Sequence, residues 1–211
     1  AGNYHANENI KSGYIRYDRQ LSKKSDLIIG FRVENTNLKY SGFNLIANND
    51  GNESITGTGS LKNHYTNLLP SVLYKFNIND NCKLRASFTK TLARPKYTDL
   101  IPNVNYNVQD ATAEIGNENL RPTTSNNFDL SSEYYFKSVG LVSLGVFYKD
   151  LHNVIVTEKW VGSAKELPSS IGNADYVIEK PNNAYDGGIF GTELAYERDF
   201  GFISPSLKCI G

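Results

Sequence analysis

The chain has 211 residues, with 22 Lys and Arg against 22 Asp and Glu, so bulk electrostatics give no support to a nucleic-acid partner. With 14 Tyr, 10 Phe and a hydrophobic fraction of 39%, it is rich in aromatics but not greasy. No run approaches the ~18 apolar residues that a transmembrane helix needs, which excludes helical spanning only, because a membrane barrel dilutes its apolar face with polar residues.

The N-terminus, Ala1-Gly2-Asn3-Tyr4, has neither a basic region nor an apolar one, and the chain contains no Met. It reads as a processed protein or an excised piece of a longer one, the second reading preferred. Cys82 and Cys209 are two isolated thiols and do not make a disulfide framework.

Taken in order, the chain is a series of period-two segments. A first strand is expected from Glu8 to Leu21, followed by the polar turn Ser22–Ser25. The second, Asp26 to Tyr40, sets Leu27, Ile29, Phe31 and Val33 against Arg32, Glu34 and Thr36. The Asn/Gly/Ser-rich stretch from Ile46 to Asn63 predicts a long loop. The third strand runs from Tyr65 to Phe76, with Pro70 marking a bulge or an unpaired position.

After the tight turn Asn77–Asn81, the fourth strand begins at Lys83 and puts Leu84, Ala86 and Phe88 opposite Arg85, Ser87 and Thr89. Arg94-Pro95 ends it, since proline lacks an N–H and restricts the residue before it. A second long loop is expected to about Thr124, a fifth strand from Asn126 to Phe136, and a short turn at Lys137–Gly140. The sixth strand, Leu141 to Trp160, sets Val142, Leu144, Val146 and Tyr148 against Ser143, Gly145 and Lys149. A third long loop spans Val161 to Asp186, a seventh strand Gly187 to Phe200, and an eighth begins at Ser206-Leu207. No stretch has a convincing helical period.

Connections therefore alternate between short and long, and most strands exceed the ~5–6 residues usual in soluble sheets. Outer-membrane barrels combine these features, with short periplasmic turns and long extracellular loops. The fold class expected is all-β: an antiparallel meander of seven to eight long strands from a transmembrane barrel, forming one partial barrel domain over residues 1–211. Two alternatives stay open, a complete small barrel acting as an adhesin and a soluble β-sandwich that binds carbohydrate.

Chemistry-bearing motifs are few. His5, His64 and His152 are scattered without metal-ligand spacing, and no nucleophile–base arrangement can be named, so neither an enzyme nor a cofactor is expected. Asn48–Glu53 is oxygen-rich but misses calcium-loop spacing and reads as a solvated loop. Arg85 and Arg94 read either as contacts for an anionic solute or as members of a charge ladder with Arg32, Glu34, Glu133, Lys149, Glu193 and Glu197. Tyr106, Trp160, Tyr176 and Tyr185 lie in or beside the expected long loops, where aromatics grip sugars or siderophores by stacking; Trp160 suits a membrane-interface girdle equally well.

Four segments resemble one family. Ser87–Pro102 reads SFTKTLARPKYTDLIP, Gly116–Leu130 reads GNENLRPTTSNNFDL, Gly145–Asn153 reads GVFYKDLHN, and Asn183–Tyr196 carries Gly187, Gly188 and Gly191-Thr192-Glu193-Leu194. In order and spacing they are similar to segments of the barrel of TonB-dependent outer-membrane receptors. Nothing resembles that family's plug domain, its energy-coupling box or its C-terminal aromatic residue. The resemblance thus implies an internal piece of a barrel of about 22 strands. It implies an outer-membrane location, import of a scarce solute (an iron complex, cobalamin, oligosaccharide or peptide), and an energy-coupling protein acting through the missing plug. Leu27, Ile29, Phe31, Val33, Leu84, Phe88, Val142, Leu144 and Val146 would face lipid, and Arg94 with the four loop aromatics would be candidates for the solute.

Overall fold

The computed structural model describes residues 3–47, 53–101, 104–107, 109–136, 140–163 and 175–198. Seven long strands dominate: β1 (Asn3–Ser22), β2 (Ser25–Ala47), β3 (Glu53–Asn77), β4 (Cys82–Ala93), β7 (Thr123–Tyr135), β8 (Gly140–Ser163) and β9 (Asp175–Arg198). Between β4 and β7 an insertion holds a one-turn helix, α1 (Tyr97–Leu100), and two short strands, β5 (Val104–Asn107) and β6 (Thr112–Ile115). All nine strands form one sheet in the order β1-β2-β3-β4-β7-β8-β9-β6-β5. Its pairings are antiparallel except for β6 with β9, which run parallel. A single sheet removes the sandwich alternative. Among the described residues β1 pairs only with β2, and the sheet does not close on itself.

Short turns gather at one end, as expected, and are tied to one another. The side-chain oxygen of Asn79 accepts from the backbone N–H groups of Asn81 (2.9 Å) and Cys82 (2.8 Å), an Asx-type turn that closes the β3–β4 hairpin. The neighbouring turn is reached by Asn77 N–H donating to Lys24 C=O at 2.7 Å and by Lys24 Nζ donating to Ile78 C=O at 3.2 Å.

At the other end the expected loops are corrected. The stretch Ile46–Asn63 contains the last residues of β2 and eleven residues of β3, paired from Gly42 opposite Gly59 to Ala47 opposite Glu53 after a bulge at Gly42/Phe43. Val161–Asp186 likewise contains the end of β8 and the first half of β9, paired to Ser163 opposite Asp175. Backbone ladder bonds need no apolar side chains, so Gly-, Ser- and Asn-rich strands extend where no core calls for alternation. The only helix among the described residues is the single turn α1, too short to carry a helical period. Pro70 lies in continuous register opposite Phe31, and pairing with β4 starts only at Ser71, so the proline sits where β3 lacks a neighbour on that side. The Asn48–Asn52 stretch, Cys209 and the proposed eighth strand lie outside the described residues.

Register decides the faces. One row runs Tyr17, Ile29, Val72, Phe88, Phe128, Tyr148, Phe190, and another Leu27, Tyr74, Ala86, Leu130, Val146, Thr192. Leu84, Leu144 and Leu194 share that face, and Leu144 and Leu194 are 53% and 76% exposed. The alternate positions carry most of the charged side chains, with Ile28, Leu73 and Phe147 among them, and it is on this more polar face that the insertion packs. Leu38 and Tyr40 of β2 meet Leu100, Ile101 and Leu120 of the insertion in a buried cluster. A fully buried Leu contributes about 1.5–3 kcal/mol, so this cluster anchors the insertion.

Candidate functional site

The site is built where β4 leaves the sheet. Continued in register, residue 94 would follow Phe88 and Lys90 onto the apolar face. The strand ends at Ala93, Pro95 offers no N–H, and the turn swings the Arg94 guanidinium to the polar face. There Arg94 Nη2 donates to Glu34 Oε2, and Arg32 Nε donates to the other oxygen of Glu34 at 2.7 Å. Glu8 stands 4.0 Å from Arg94 Nε and accepts from the Tyr97 hydroxyl at 2.6 Å. That hydrogen bond raises the Tyr97 pKa, because ionising the phenol beside Glu8 would remove the proton it donates. Nearer the turns the same wall carries Arg85–Glu133 (3.1 Å) and Lys75–Asp26 (3.3 Å). Arg94 and Arg85 are thus members of a cross-strand charge ladder.

Asparagines hold the rest of the insertion. Asn117 Nδ2 donates to Pro181 C=O (3.0 Å) and Asn182 Oδ1 (2.7 Å), while its own Oδ1 accepts from Asn119 N–H at 3.0 Å. Asn183 accepts from Arg121 N–H at 2.8 Å and donates to the carbonyls of Arg121 (3.0 Å) and Asn153 (2.8 Å). Asn63 of β3 donates to the carbonyls of Glu118 and Leu120 from the opposite side. Asn153 has φ 55°, a left-handed conformation that Asn tolerates better than most residues, and it marks the bulge between Leu151 and Val154. At Gly116 an added Cβ would stand 1.8 Å from Ile101 C=O, so only glycine permits this approach.

A recess of about 650 Å³ opens beside these tethers, lined by Tyr40, Asn63, His64, Tyr65, Arg121 and Asn153 among others. Some of its polar groups are engaged with neighbours, His64 Nδ1 with Asn37 Oδ1 at 2.9 Å, Thr66 with Asn35 at 3.0 Å and Asn63 with the insertion, whereas the Tyr40 hydroxyl and Asn67 Nδ2 are buried without a hydrogen-bond partner among the described residues. Burial pushes the Tyr40 pKa upward, which keeps its phenol neutral. Among the described residues, no three His, Cys, Asp or Glu side chains are arranged to hold a metal.

The model of the outer membrane protein beta-barrel family matches residues 1–201. The chain belongs to this family. Its place is the outer membrane, and its amphipathic sheet is a portion of a barrel wall.

Solved structures of this architecture align with it, among them three receptors or transporters. The hemophore receptor HasR of Serratia marcescens, in complex with its hemophore HasA and heme, is 12% identical with TM-score 0.68, over 90% of this chain and 32% of that one. The siderophore receptor PirA of Pseudomonas aeruginosa is 18% identical with TM-score 0.54, over 90% and 39%. The copper transporter OprC is 16% identical with TM-score 0.62, over 90% and 26%. The chain spans about a third of the length of these proteins. At such identities the likeness establishes the fold, and at that level it bears out the resemblance to receptor barrels. No curated protein matches the sequence.

The register sets Trp160, Ile178, Ala113 and Tyr106 in one row across β8, β9, β6 and β5, with Tyr176 two residues along β9. Arg94 is committed to Glu34 and Glu8. The aromatics expected in or beside loops all sit on strands: Tyr106 in β5 opposite Ala113, Trp160 in β8 opposite Ile178, Tyr185 in β9 opposite Val154, Tyr176 in β9 opposite Gly162. Tyr176 is 3% exposed and packs with Ala113 and Ile178 under the β5–β6 hairpin, which corrects its placement as a loop aromatic; the parallel β6–β9 pairing covers it. Tyr185 is 65% exposed and Trp160 40%. Leu27, Ile29, Phe31, Val33, Leu84, Phe88, Val142, Leu144 and Val146 share the apolar face. Asn117, Asn153 and Asn183 escaped the sequence reading as tethers, although each stands inside a segment quoted for the resemblance. His152, flanked by Asp150 and Asp186, escaped it because His and Asp two residues apart signal nothing without the third, distant partner.

Proposed function

We propose that this chain is part of the barrel of a TonB-dependent receptor that imports a scarce solute across the outer membrane. The observation that carries the reading is the alignment of nine-tenths of the chain with receptor barrels whose names specify a hemophore, a siderophore and copper. The solute class is an iron complex, cobalamin, a metal ion, an oligosaccharide or a peptide, and the protein's work is transport rather than catalysis. Leu27, Ile29, Phe31, Val33, Leu84, Phe88, Val142, Leu144 and Val146 contact outer-membrane lipid. The charged wall faces the lumen, and energy comes from an inner-membrane coupling protein acting on a plug domain. Trp160, Tyr185 and Tyr106 are the aromatics proposed for the solute, and Arg94 belongs to the charged wall with Glu34 and Glu8.

Uptake by cells with and without the intact gene tests this, using ferric siderophore, heme, copper, cobalamin and oligosaccharide in turn. The expected result is gene-dependent uptake of one solute class that a protonophore abolishes. Gene-dependent uptake that persists in the protonophore would replace active import with passive diffusion through a pore.

A further inference from the structure

Just above the apolar band, on the same face of the sheet, lies a cluster that the barrel wall does not require. His152 Nε2 stands 3.0 Å from Asp150 Oδ2, and its Nδ1 stands 3.3 Å from Asp186 Oδ2. A neutral imidazole has one N–H and one lone pair, so one of these contacts would set a lone pair against a carboxylate oxygen. Only the imidazolium, with two N–H groups, satisfies both.

The cluster is wired to the insertion. Asp186 Oδ1 accepts from Asn153 N–H at 2.9 Å and so holds the bulge in which Asn153 adopts φ 55°. Asn153 C=O in turn accepts from Asn183 Nδ2 at 2.8 Å and from Thr123 Oγ1 at 3.0 Å. Asn183 grips both backbone groups of Arg121. A contiguous chain therefore runs from the imidazole through Asp186, Asn153 and Asn183 to the segment Asn117–Arg121.

We propose that His152 is a proton-operated latch: as an imidazolium it bridges Asp150 and Asp186, fixes the Asn153 bulge and so holds the segment Asn117–Arg121 against β8 and β9. The groups facing it are few. Its own strand offers Asp150. From β9 come Asp186 and the glycines Gly187 and Gly188, and from β7 Thr124 and Asn126, the latter donating to Asp150 at 3.3 Å. Lys90 of β4 lies in the same row, one strand beyond Asn126. Two carboxylates against this one more distant cation leave the imidazolium favoured. The hydrogen bond to Asp186 first, then that to Asp150, raises the His152 pKa from its ordinary value. Since the folded value lies above the unfolded one, the latch is fully closed below about 6.5 and opens as pH rises through the raised value.

The experiment is hydrogen exchange by mass spectrometry on the full-length protein in detergent micelles, between pH 5.5 and 8.5. It follows the peptide containing Leu120 and Arg121 and the C2 proton of His152. After correction for intrinsic exchange, the wild-type peptide is expected to lose about two- to fivefold protection across the raised pKa, the factor an exposed charge pair supplies. His152→Gln, which keeps one donor and does not titrate, should show no such step, and Asp150→Asn a smaller one. A His152 C2 titration at its ordinary value overturns the proposal. So does a pH course for Leu120–Arg121 that is the same in wild type and His152→Gln, or, if that variant does not assemble, the same in wild type and Asp150→Asn.

Discussion

Arg94 and Glu34 are sixty residues apart in sequence and form an ion pair on the polar face of the sheet, with Glu34 shared between Arg94 and Arg32. Glu34 is 8% exposed, and a carboxylate that deeply placed is tolerable only because two guanidiniums serve it. Removing one of them by Arg94→Ala should destabilise the protein by about 1.5–3 kcal/mol, the range for hydrogen bonds to charged groups. Arg94→Lys should recover part of that, since a point charge does not reproduce the guanidinium fork. In a double-mutant cycle with Glu34→Gln, urea unfolding in lipid vesicles should return a coupling energy. Additivity of the two single variants would show that the pair contributes nothing beyond its separate parts.

The apolar face makes a second prediction. Leu144→Arg and Val146→Arg should each cost about 2–4 kcal/mol if these positions lie near the bilayer midplane. Ser143→Arg lies on the opposite, charged wall of the same strand and should cost far less. Folding into vesicles, followed by the mobility difference of heated and unheated samples on gels, measures both. Equal tolerance at positions 143 and 144 would remove the assignment of lipid and lumen faces.

How much of this was legible in the sequence depends on what each residue answers to. Leu27, Ile29, Phe31 and Val33 announce a strand because one side meets an apolar medium, and the period-two pattern follows directly. Gly57, Gly59 and Ser60 continue β3 without any apolar alternation, and their composition reads as loop although the ladder with β2 runs on. Strand length beyond the apolar band is a backbone property, and side-chain patterns carry little of it. Arg94 was recognisable as a boundary from the proline after it, and its charge-ladder role from the wall opposite. The tethers were hidden for another reason. Asn117 and Asn183 are sixty-six residues apart, and each bonds to the other's segment, so each is understood only when both backbone segments are in place.

Gly116 offers a sharper test of the insertion than any polar residue. A Cβ there would fall 1.8 Å from the carbonyl oxygen of Ile101, a backbone atom that no rotamer change can move. Asn117 N–H donates to Asp99 C=O at 2.6 Å immediately beside it, so any shift also loosens this bond. Gly116→Ala should cost about 1–3 kcal/mol, as overpacking does, with the loss expressed as faster exchange of the Asn117 amide. Gly187→Ala is the control, since nothing lies within 4 Å of a Cβ there. The same cost at both positions would mean that the Ile101 contact is not the cause.

Asn183 distinguishes donor from acceptor in the tether. Its amide nitrogen serves two carbonyls, those of Arg121 and Asn153, while its oxygen serves the Arg121 N–H. Asn183→Asp preserves size and the acceptor but turns a carboxylate oxygen toward two carbonyl oxygens. It should therefore be at least as damaging as Asn183→Ala, which loses about 1–3 kcal/mol by leaving partners unpaired. Limited proteolysis within residues 94–122 reads the outcome, because an insertion released from β8 and β9 offers an extended substrate. The order expected is wild type slowest, Asn183→Ala faster, and Asn183→Asp as fast or faster. If Asn183→Asp behaved as wild type, only the acceptor would matter, and the two bonds from the amide nitrogen would not hold the insertion.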